Sequence, residues 1–267
     1  RKGTQVKKRL VCLLLLLTLL LTGCTAQSKE NEPDAATSTA TDPNVRTTGT
    51  GFYFDTVVTF TLYGADATLM DDLQSACRRY ENLLSRINAA GGETVTVDPE
   101  TAHILTRALE ISRMTDEAFC VTIAPLTSLW DFSGGTQRMP TEEERLAALP
   151  LVDDSKLVVD GNQVTLPAGM QIDLGGIAKG YIADELAKMC ENRSHGALLN
   201  FGGNVYVTGA KPDGSLYRVG VRDPQNTASS LAVVSLGPGT VVTSGVYERC
   251  FEKDGAFYHH ILDPQTG

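Results

Sequence analysis

The sequence lacks a basic run beyond its first residues, and acidic side chains are in excess. Its 267 residues carry 23 Lys and Arg against 32 Asp and Glu, a net charge of −9. A nucleic-acid-binding domain would need a basic surface, so we expect no nucleic acid as partner. Aromatic residues make up only 6% of the chain. The length still suits one large domain or two modest ones with a sizeable core.

Cysteines are few and widely spaced. Cys77, Cys120, Cys190 and Cys250 remain once those of the N-terminal segment are set aside, and none belongs to a CxxC pair or a zinc-like spacing. The spacing therefore indicates no zinc site, and nothing in it pairs the thiols as disulfides. Cys77 and Cys190 fall within amphipathic helical patterns, which predicts that they are core thiols.

The N-terminal segment has the pattern of an export signal. Basic residues 7–9 precede an apolar run at 10–21 that ends in LTGC at Cys24. A run of about 12 residues is too short for a membrane span, which needs roughly 20. The LTGC sequence resembles the bacterial lipobox, in which the cysteine is lipidated; the alternative is an ordinary signal peptide with a chance cysteine. We expect residues 1–23 to be a lipoprotein signal peptide.

Residues 24–48 contain no aromatic and few aliphatic side chains. This composition predicts a disordered polar tether that follows the lipidated Cys24. We therefore expect a protein that is lipid-anchored on the extracytoplasmic face of the cell membrane, with its folded domain at residues 49–267.

The stretch QIDLGGIAKGYIAD at residues 171–184 carries the strongest local signal for a site. Its pattern predicts a strand, a tight turn and a helix N-terminus, where free backbone N–H groups and the helix dipole favour an anion. Gly175 and Gly176 would permit close approach of a ligand, and Asp173 and Lys179 could bind its polar groups. The alternative is a glycine-rich turn with a surface lysine and a capping aspartate.

Several local patterns predict the elements around this stretch. A β-branched and aromatic run predicts a strand at 52–63, and helical periodicity predicts helices at 68–87 and, after Asp98-Pro99, up to Met114. Residues 118–132 read as an irregular apolar wall with a strand-like entry. The other expected features are a capping box at Thr141, a hairpin at 157–166, glycines 202 and 203 at a strand end or bulge, and strands at 216–222, 231–236 and 239–244.

The C-terminal stretch FYHHILDPQTG predicts a strand bearing His259 and His260, followed by a turn. Because side chains alternate along a strand, one histidine would face inward and the other outward. Taken alone, the pair does not indicate a particular chemistry.

Taken together, IDLGGIAKGYIAD, NFGGNVYVTG, TSGVYER and HHILDPQTG resemble, in this order, the ApbE family of flavin transferases. The resemblance covers about residues 50–267. It implies an α+β fold, a single T-fold-like catalytic domain with mixed or antiparallel sheets and flanking helices. It also implies FAD as substrate, Mg²⁺ as cofactor, and transfer of FMN to a Ser or Thr hydroxyl of an exported acceptor flavoprotein with release of AMP.

The resemblance also implies roles for individual residues. Catalysis falls on His260 and Lys179, and the backbone of Gly176 would coordinate Mg²⁺. Cofactor contacts fall on Phe54, Ala118, Phe119, Cys120, Asp173, Lys179 and Ser244. Cys120 departs from the family's pattern, in which Asp commonly follows the Phe. The family's remaining Mg²⁺ ligands, an Asp and a Thr or Ala four residues later, fall beyond Gly267, so we expect the 267-residue chain to be truncated and less active than its parent.

Two rival functions remain open at the level of sequence. The first is an FAD pyrophosphatase that uses water as acceptor and yields FMN and AMP. The second is a flavin-binding lipoprotein without catalysis. The residues do not separate these functions, because the choice of acceptor depends on the open face of the site.

Overall fold

An antiparallel five-stranded sheet is the largest element of the fold. The computed structural model describes residues 41–80, 85–132 and 135–267, which all belong to one compact unit. The predicted signal peptide, Cys24 and most of the predicted tether lie outside the described residues. The strand order in the large sheet is β1-β2-β6-β7-β10, and every neighbouring pair is antiparallel.

The described residues contain twelve strands and six α-helices. The strands are β1 Arg46–Tyr53, β2 Thr56–Tyr63, β3 Thr94–Thr96, β4 Val158–Asp160, β5 Gln163–Thr165, β6 Gly196–Phe201, β7 Asn204–Gly209, β8 Tyr217–Arg222, β9 Ser230–Leu236, β10 Gly239–Val241, β11 Cys250–Lys253 and β12 Ala256–His259. The helices are α1 Leu69–Tyr80, α2 Ser85–Asn88, α3 Pro99–Met114, α4 Ala124–Thr127, α5 Glu142–Ala148 and α6 Ala178–Cys190. This content confirms the predicted α+β class.

The sheet begins earlier than the sequence pattern suggested. Residues 46–48, which composition assigned to the tether, are the start of β1. The single strand predicted at 52–63 is wrong, because a hairpin turn at Phe54 and Asp55 separates β1 from β2. Both turn residues have positive φ, 55° and 54°. Aspartate tolerates this conformation, but phenylalanine there is uncommon, which is why composition did not reveal the turn.

The first core fills the space between the large sheet and helices α1 and α6. Inward residues of β2 and β6, such as Phe60 and Phe201, are completely buried, and their rings meet edge to face with centroids 6.3 Å apart. Leu73 and Leu186 pack against them from the two helices. Cys77 and Cys190 also lie in this core, so the prediction of core thiols is confirmed.

The second core packs beneath α3 and the segment that leads into α6. Met170, Ile172 and Leu174 alternate inward, yet residues 171–174 form no strand, so that part of the prediction is wrong. The side chain of Asn88 replaces a strand partner: it accepts from Ile172 N at 2.8 Å and donates to Ile172 O at 2.9 Å. Ala178 and Tyr181 pack against both cores, so α6 begins where the two cores meet.

An aromatic cluster attaches the β11–β12 hairpin to the segment around Trp130. Trp130 stacks on Phe132 with centroids 5.3 Å apart and lies 5.6 Å from Tyr258. Phe251 completes the cluster, at 5.7 Å from Phe132 and 5.4 Å from Tyr258. The predicted strand-like entry at residue 118 is wrong, because the only regular element in this segment is α4. The prediction of an irregular apolar wall is confirmed.

Local capping signals were read correctly from the sequence. Asp98 caps α3 by accepting from Thr101 N at 2.8 Å, and Thr141 and Glu144 form the predicted capping box at α5. The β4–β5 hairpin also lies within its predicted range. Gly202 and Gly203, expected at a strand end or bulge, form the β6–β7 turn with φ of 58° and 99°. Within the described part of the chain, no helix is long and apolar enough to cross a membrane.

Candidate functional site

Lys179 lies in the first turn of α6 and is half-buried. Burial is the largest influence on it and lowers its pKa, and the positive charge of Arg249 acts in the same direction. Glu248 and Asp55 act in the opposite direction. The ammonium group is therefore within electrostatic range of the β1–β2 turn and of the residues that precede β11, although these segments are far apart in sequence.

His260 follows the last residue of β12 and belongs to the same group of charges. Its backbone N donates to Arg249 O at 3.1 Å, and its Nδ1 lies 3.3 Å from that carbonyl. A carbonyl only accepts hydrogen bonds, so the neutral ring carries its proton on Nδ1 and keeps Nε2 as a free base. Burial lowers the pKa of His260, the hydrogen bond to the Arg249 carbonyl raises it, the charges of Arg249, His259 and Lys179 lower it, and the net shift of the pKa is downward. The histidine is therefore neutral near pH 7.

Asp173 holds the turn before α6 through three contacts. Its Oδ1 accepts from Gly175 N at 2.7 Å, and its Oδ2 accepts from the Thr127 hydroxyl at 3.4 Å. Its own backbone N donates to Val121 O at 2.9 Å. Asp173 is not among the charges that act on Lys179. The two residues thus lie on the same turn-and-helix unit, but they do not form an ion pair.

The ring of Phe119 packs against the turn at Gly176. A Cβ built on Gly176 would lie 2.9 Å from Phe119 Cε2, so only glycine allows the backbone to approach the ring this closely. Gly176 itself is exposed. Phe54 lies in the β1–β2 turn beside Asp55, half-buried against the first core. Phe119 therefore lies against the turn before α6 and Phe54 against the first core, and the flavin contacts that the resemblance implies for both stay predictions.

Cys120 is hydrogen-bonded to a carboxylate inside the protein. The side chain is buried, and its Sγ donates to Asp154 Oδ1 at 3.0 Å. Burial and the bond to Asp154 raise the pKa of the thiol to about 11. The thiol is therefore protonated and donates to a carboxylate, which is a structural arrangement.

Two other expected site residues, Ala118 and Ser244, lie on the surface. Ala118 is exposed, and its backbone N donates to Thr115 O at 3.0 Å. Ser244 is exposed in the segment between β10 and β11, and no hydrogen bond among the described residues joins it to Lys179 or His260. The roles that the resemblance implies for Ala118, Ser244 and Cys120 remain predictions.

Sequence reasoning missed Arg249, Asp55 and Asp154. Arg249 stands inside the TSGVYER motif, so the motif itself was a signal for it. Asp55 directly follows Phe54 in the turn that was read as a strand. Asp154 gave no signal, because its partners lie more than thirty positions earlier in the chain. Long-range pairing of this kind leaves no periodic pattern in a single sequence.

The oxygen atoms around Gly176 are the ligand type that Mg²⁺ prefers, but the described side chains supply too few of them for a complete site. The turn offers backbone carbonyls, the Asp173 carboxylate and the Thr127 hydroxyl, and oxygen is the ligand type that Mg²⁺ prefers. Throughout residues 41–80, 85–132 and 135–267, no group of three or more His, Cys, Asp or Glu could hold a metal ion. The described side chains do not by themselves make a complete magnesium site.

Comparison with known proteins decides the family. The model of the ApbE family matches residues 54–267, from the β1–β2 turn through the His260 segment. The chain belongs to the ApbE family. The resemblance seen in the four motifs is confirmed, and all of them lie within the matched range.

Curated relatives of this ApbE chain are FAD:protein FMN transferases. The protein of Klebsiella pneumoniae (strain 342) is 34% identical over 221 residues, which cover 77% of this chain and 68% of that protein. The protein of Treponema pallidum (strain Nichols) is 35% identical over 211 residues, which cover 72% of this chain and 58% of that protein. The chain thus spans between about three-fifths and two-thirds of the length of these relatives.

Solved structures of the family share the fold. The ApbE protein of Thermotoga maritima superposes with a TM-score of 0.76 at 31% identity, covering 83% of this chain and 77% of that one. The apo flavinyl transferase ApbE of Pseudomonas stutzeri gives 0.72 at 27% identity, with 83% and 75% covered. The predicted single ApbE-type α+β domain is therefore confirmed.

Proposed function

We propose that this protein transfers FMN from FAD to a Ser or Thr hydroxyl of an acceptor flavoprotein and releases AMP. The observation that carries the proposal is the grouping of Lys179, Arg249 and His260 at the start of α6. Two cations beside a neutral histidine suit a reaction that attacks a pyrophosphate. Membership of the ApbE family, whose relatives are named FAD:protein FMN transferases, supports the same activity.

The residues account for the reaction as follows. The acceptor's hydroxyl oxygen forms a bond to the phosphorus of the FMN half, and the bond from that phosphorus to the bridging oxygen breaks, so AMP leaves with the bridging oxygen. Nε2 of neutral His260 takes the hydroxyl proton. Lys179 and Arg249 balance negative charge on the phosphate oxygens. The nucleophile belongs to the partner, so no serine of this chain is required.

We also propose Mg²⁺ as the metal cofactor, held by the Gly176 carbonyl with the Asp173 carboxylate nearby. The proposal rests on the oxygen donors of this turn and on the family resemblance. Mg²⁺ usually keeps several waters and binds through substrate phosphates, so a partial set of protein ligands is compatible with it. When bound, the ion would neutralise charge on the pyrophosphate.

The test is transfer to a flavoprotein that carries a Ser/Thr acceptor motif. The full chain is incubated with FAD, Mg²⁺ and the acceptor, and flavin fluorescence is read on the denatured acceptor after electrophoresis. We expect fluorescence on the acceptor and AMP in equal amount, and neither with His260→Gln. FMN and AMP without labelled acceptor would favour the FAD pyrophosphatase. Bound but intact FAD would favour the flavin-binding lipoprotein without catalysis.

We propose further that the protein is anchored to the extracytoplasmic face of the cell membrane by a lipid on Cys24. The support is the LTGC sequence after the apolar run, which lies outside the described residues. Cys24→Ala should release the protein from the membrane fraction or leave it unprocessed. Wild-type fractionation and migration of this variant would contradict the proposal.

A further inference from the structure

Asp154 is a buried carboxylate that belongs neither to the group of Lys179, Arg249 and His260 nor to the proposed magnesium ligands. Only 5% of its surface is exposed, and it lies in a single turn of 3-10 helix after α5. Four donors of one short segment surround it: Cys120 Sγ at 3.0 Å, Val121 N at 2.9 Å, Thr122 N at 2.9 Å and Thr122 Oγ1 at 2.8 Å. Both carboxylate oxygens of Asp154 thus accept hydrogen bonds from residues 120–122.

The charge of Asp154 is stabilised by these donors. Burial opposes ionisation, but the hydrogen bonds from Cys120, Val121 and Thr122 outweigh it, and the pKa of Asp154 lies below its ordinary value. Two of the donors are backbone N–H groups, so the carboxylate fixes the course of the main chain as well as two side chains.

The segment held by Asp154 in turn holds Asp173. Val121 donates to Asp154 with its N–H, and with its carbonyl it accepts from Asp173 N at 2.9 Å. The same segment continues into α4, where the Thr127 hydroxyl reaches Asp173 Oδ2. The backbone of Asp173 is therefore positioned by Val121, which Asp154 anchors directly, and the Asp173 carboxylate contacts Thr127 further along the same segment.

We propose that Asp154 is a positioning residue for the flavin site and acts through Val121 on the turn of Asp173. It does not touch the reacting atoms. This inference rests on the proposed binding of FAD at that turn. It assigns to Asp154 a selective effect on FAD affinity, beyond a general contribution to stability.

The variant that tests this proposal is Asp154→Asn. Asparagine keeps the shape of the aspartate side chain but turns an NH₂ group toward groups that are themselves hydrogen-bond donors. At least one backbone N–H then faces a donor and loses its partner. Because a change at a buried site also lowers stability, Thr122→Val serves as a milder variant and Thr122→Ser as its rescue, since serine keeps the hydroxyl. Asp98→Asn is the matched control: Asp98 also accepts from a backbone N–H and a hydroxyl, at the start of α3.

The experiment measures FAD affinity of the full chain by quenching of flavin fluorescence, together with melting temperature. We expect Asp154→Asn to weaken FAD binding about ten-fold, Thr122→Val less, and Thr122→Ser little. Asp98→Asn should lower the melting temperature and leave FAD affinity unchanged. Asp173→Ala should also weaken binding, and adding Asp154→Asn to it should change affinity by no more than about two-fold, since both act at one turn.

A second measurement does not depend on FAD. Hydrogen exchange of the unliganded protein should become faster in Asp154→Asn both at residues 119–123 and at 172–177. The proposal would be overturned if the two substitutions together weakened FAD affinity by the product of their separate effects. It would also be overturned if residues 172–177 of Asp154→Asn exchanged at the wild-type rate. If the wild-type protein binds no FAD, the proposed function fails, and the exchange measurement still decides whether Asp154 positions the turn.

Discussion

The large sheet and the C-terminal hairpins of this molecule bury their strands to very different degrees. In β6 four of six residues are buried, and helices α1 and α6 cover the sheet. In β9 six of seven residues are exposed, among them Leu231 at 69% and Val233 at 49%. The β11–β12 hairpin is intermediate: its buried residue, Phe251, joins the aromatic cluster around Trp130.

The candidate site takes residues from both regions. Asp173, Gly176 and Lys179 lie where α6 begins, between the two cores, whereas Arg249 and His260 flank the β11–β12 hairpin, which ring contacts attach to the segment around Trp130. Well-packed elements open rarely, and elements with few buried contacts open at lower cost. We infer that the side of the site with Asp173 and Lys179 is rigid and that the side with His260 is the more mobile of the two.

The largest expected effect is on stability, in the buried region. Leu186 of α6 is completely buried in the first core, so Leu186→Ala should lower the free energy of unfolding by about 2–5 kcal/mol. Leu231→Ala on exposed β9 should change it by less than about 0.5 kcal/mol. Chemical denaturation of the two variants measures the contrast. Similar losses in both would contradict the difference in burial between the regions.

A smaller and more local effect is expected from Phe251→Ala. The ring of Phe251 contacts Phe132 and Tyr258, and each aromatic pair contributes about 0.5–1.5 kcal/mol beyond its buried area. Amide exchange in residues 250–259 should become about ten-fold faster, which corresponds to roughly 1.4 kcal/mol.

The control for this variant is the exchange of the β6 amides, which should stay at the wild-type rate. An equal increase in β6 would mean that the hairpin and the sheet open together. In that case the hairpin is not the separately mobile part of the site.

The smallest effect concerns pH and His260. Because its pKa is lowered in the folded protein, the unfolded chain binds more protons as the pH falls below about 6.5, the ordinary value of histidine. The stability contribution is thus present above that pH and lost as the pH falls through the folded-state pKa. His260→Gln should lose less stability than the wild type between pH 7 and pH 5 and keep a constant difference above pH 7. Parallel curves at all pH values would contradict the lowered pKa.

Local signals in the sequence predicted local structure well. Asp98 and Thr141 were recognised as helix starts because a cap and its partners lie within three residues of each other. The central turn was placed correctly for the same reason. The family, and with it the fold, followed from four collinear motifs.

Features that depend on distant partners were not predicted. Residues 171–174 alternate like a strand, but their partner is the side chain of Asn88, which no periodicity reveals. Asp154 gave no local signal, because its partners Cys120, Val121 and Thr122 lie more than thirty positions earlier in the sequence. The β1–β2 turn escaped because it contains Phe54 and no glycine. Pairing of the last hairpin brings Arg249 beside His260, and the charge of Arg249 acts on Lys179.

The most direct test of the site is FAD binding by the full-chain Lys179→Ala and Asp173→Ala variants, with melting temperatures. Charge-assisted contacts contribute roughly 1.5–3 kcal/mol, so FAD affinity should fall about ten- to a hundred-fold. Lys188→Ala is the control, because Lys188 lies on the same helix, exposed and paired with Glu185. We expect weaker binding in the first two variants with near-normal melting, and unchanged binding in the control. Unchanged FAD affinity in both would reduce the motif to a glycine-rich turn with a surface lysine.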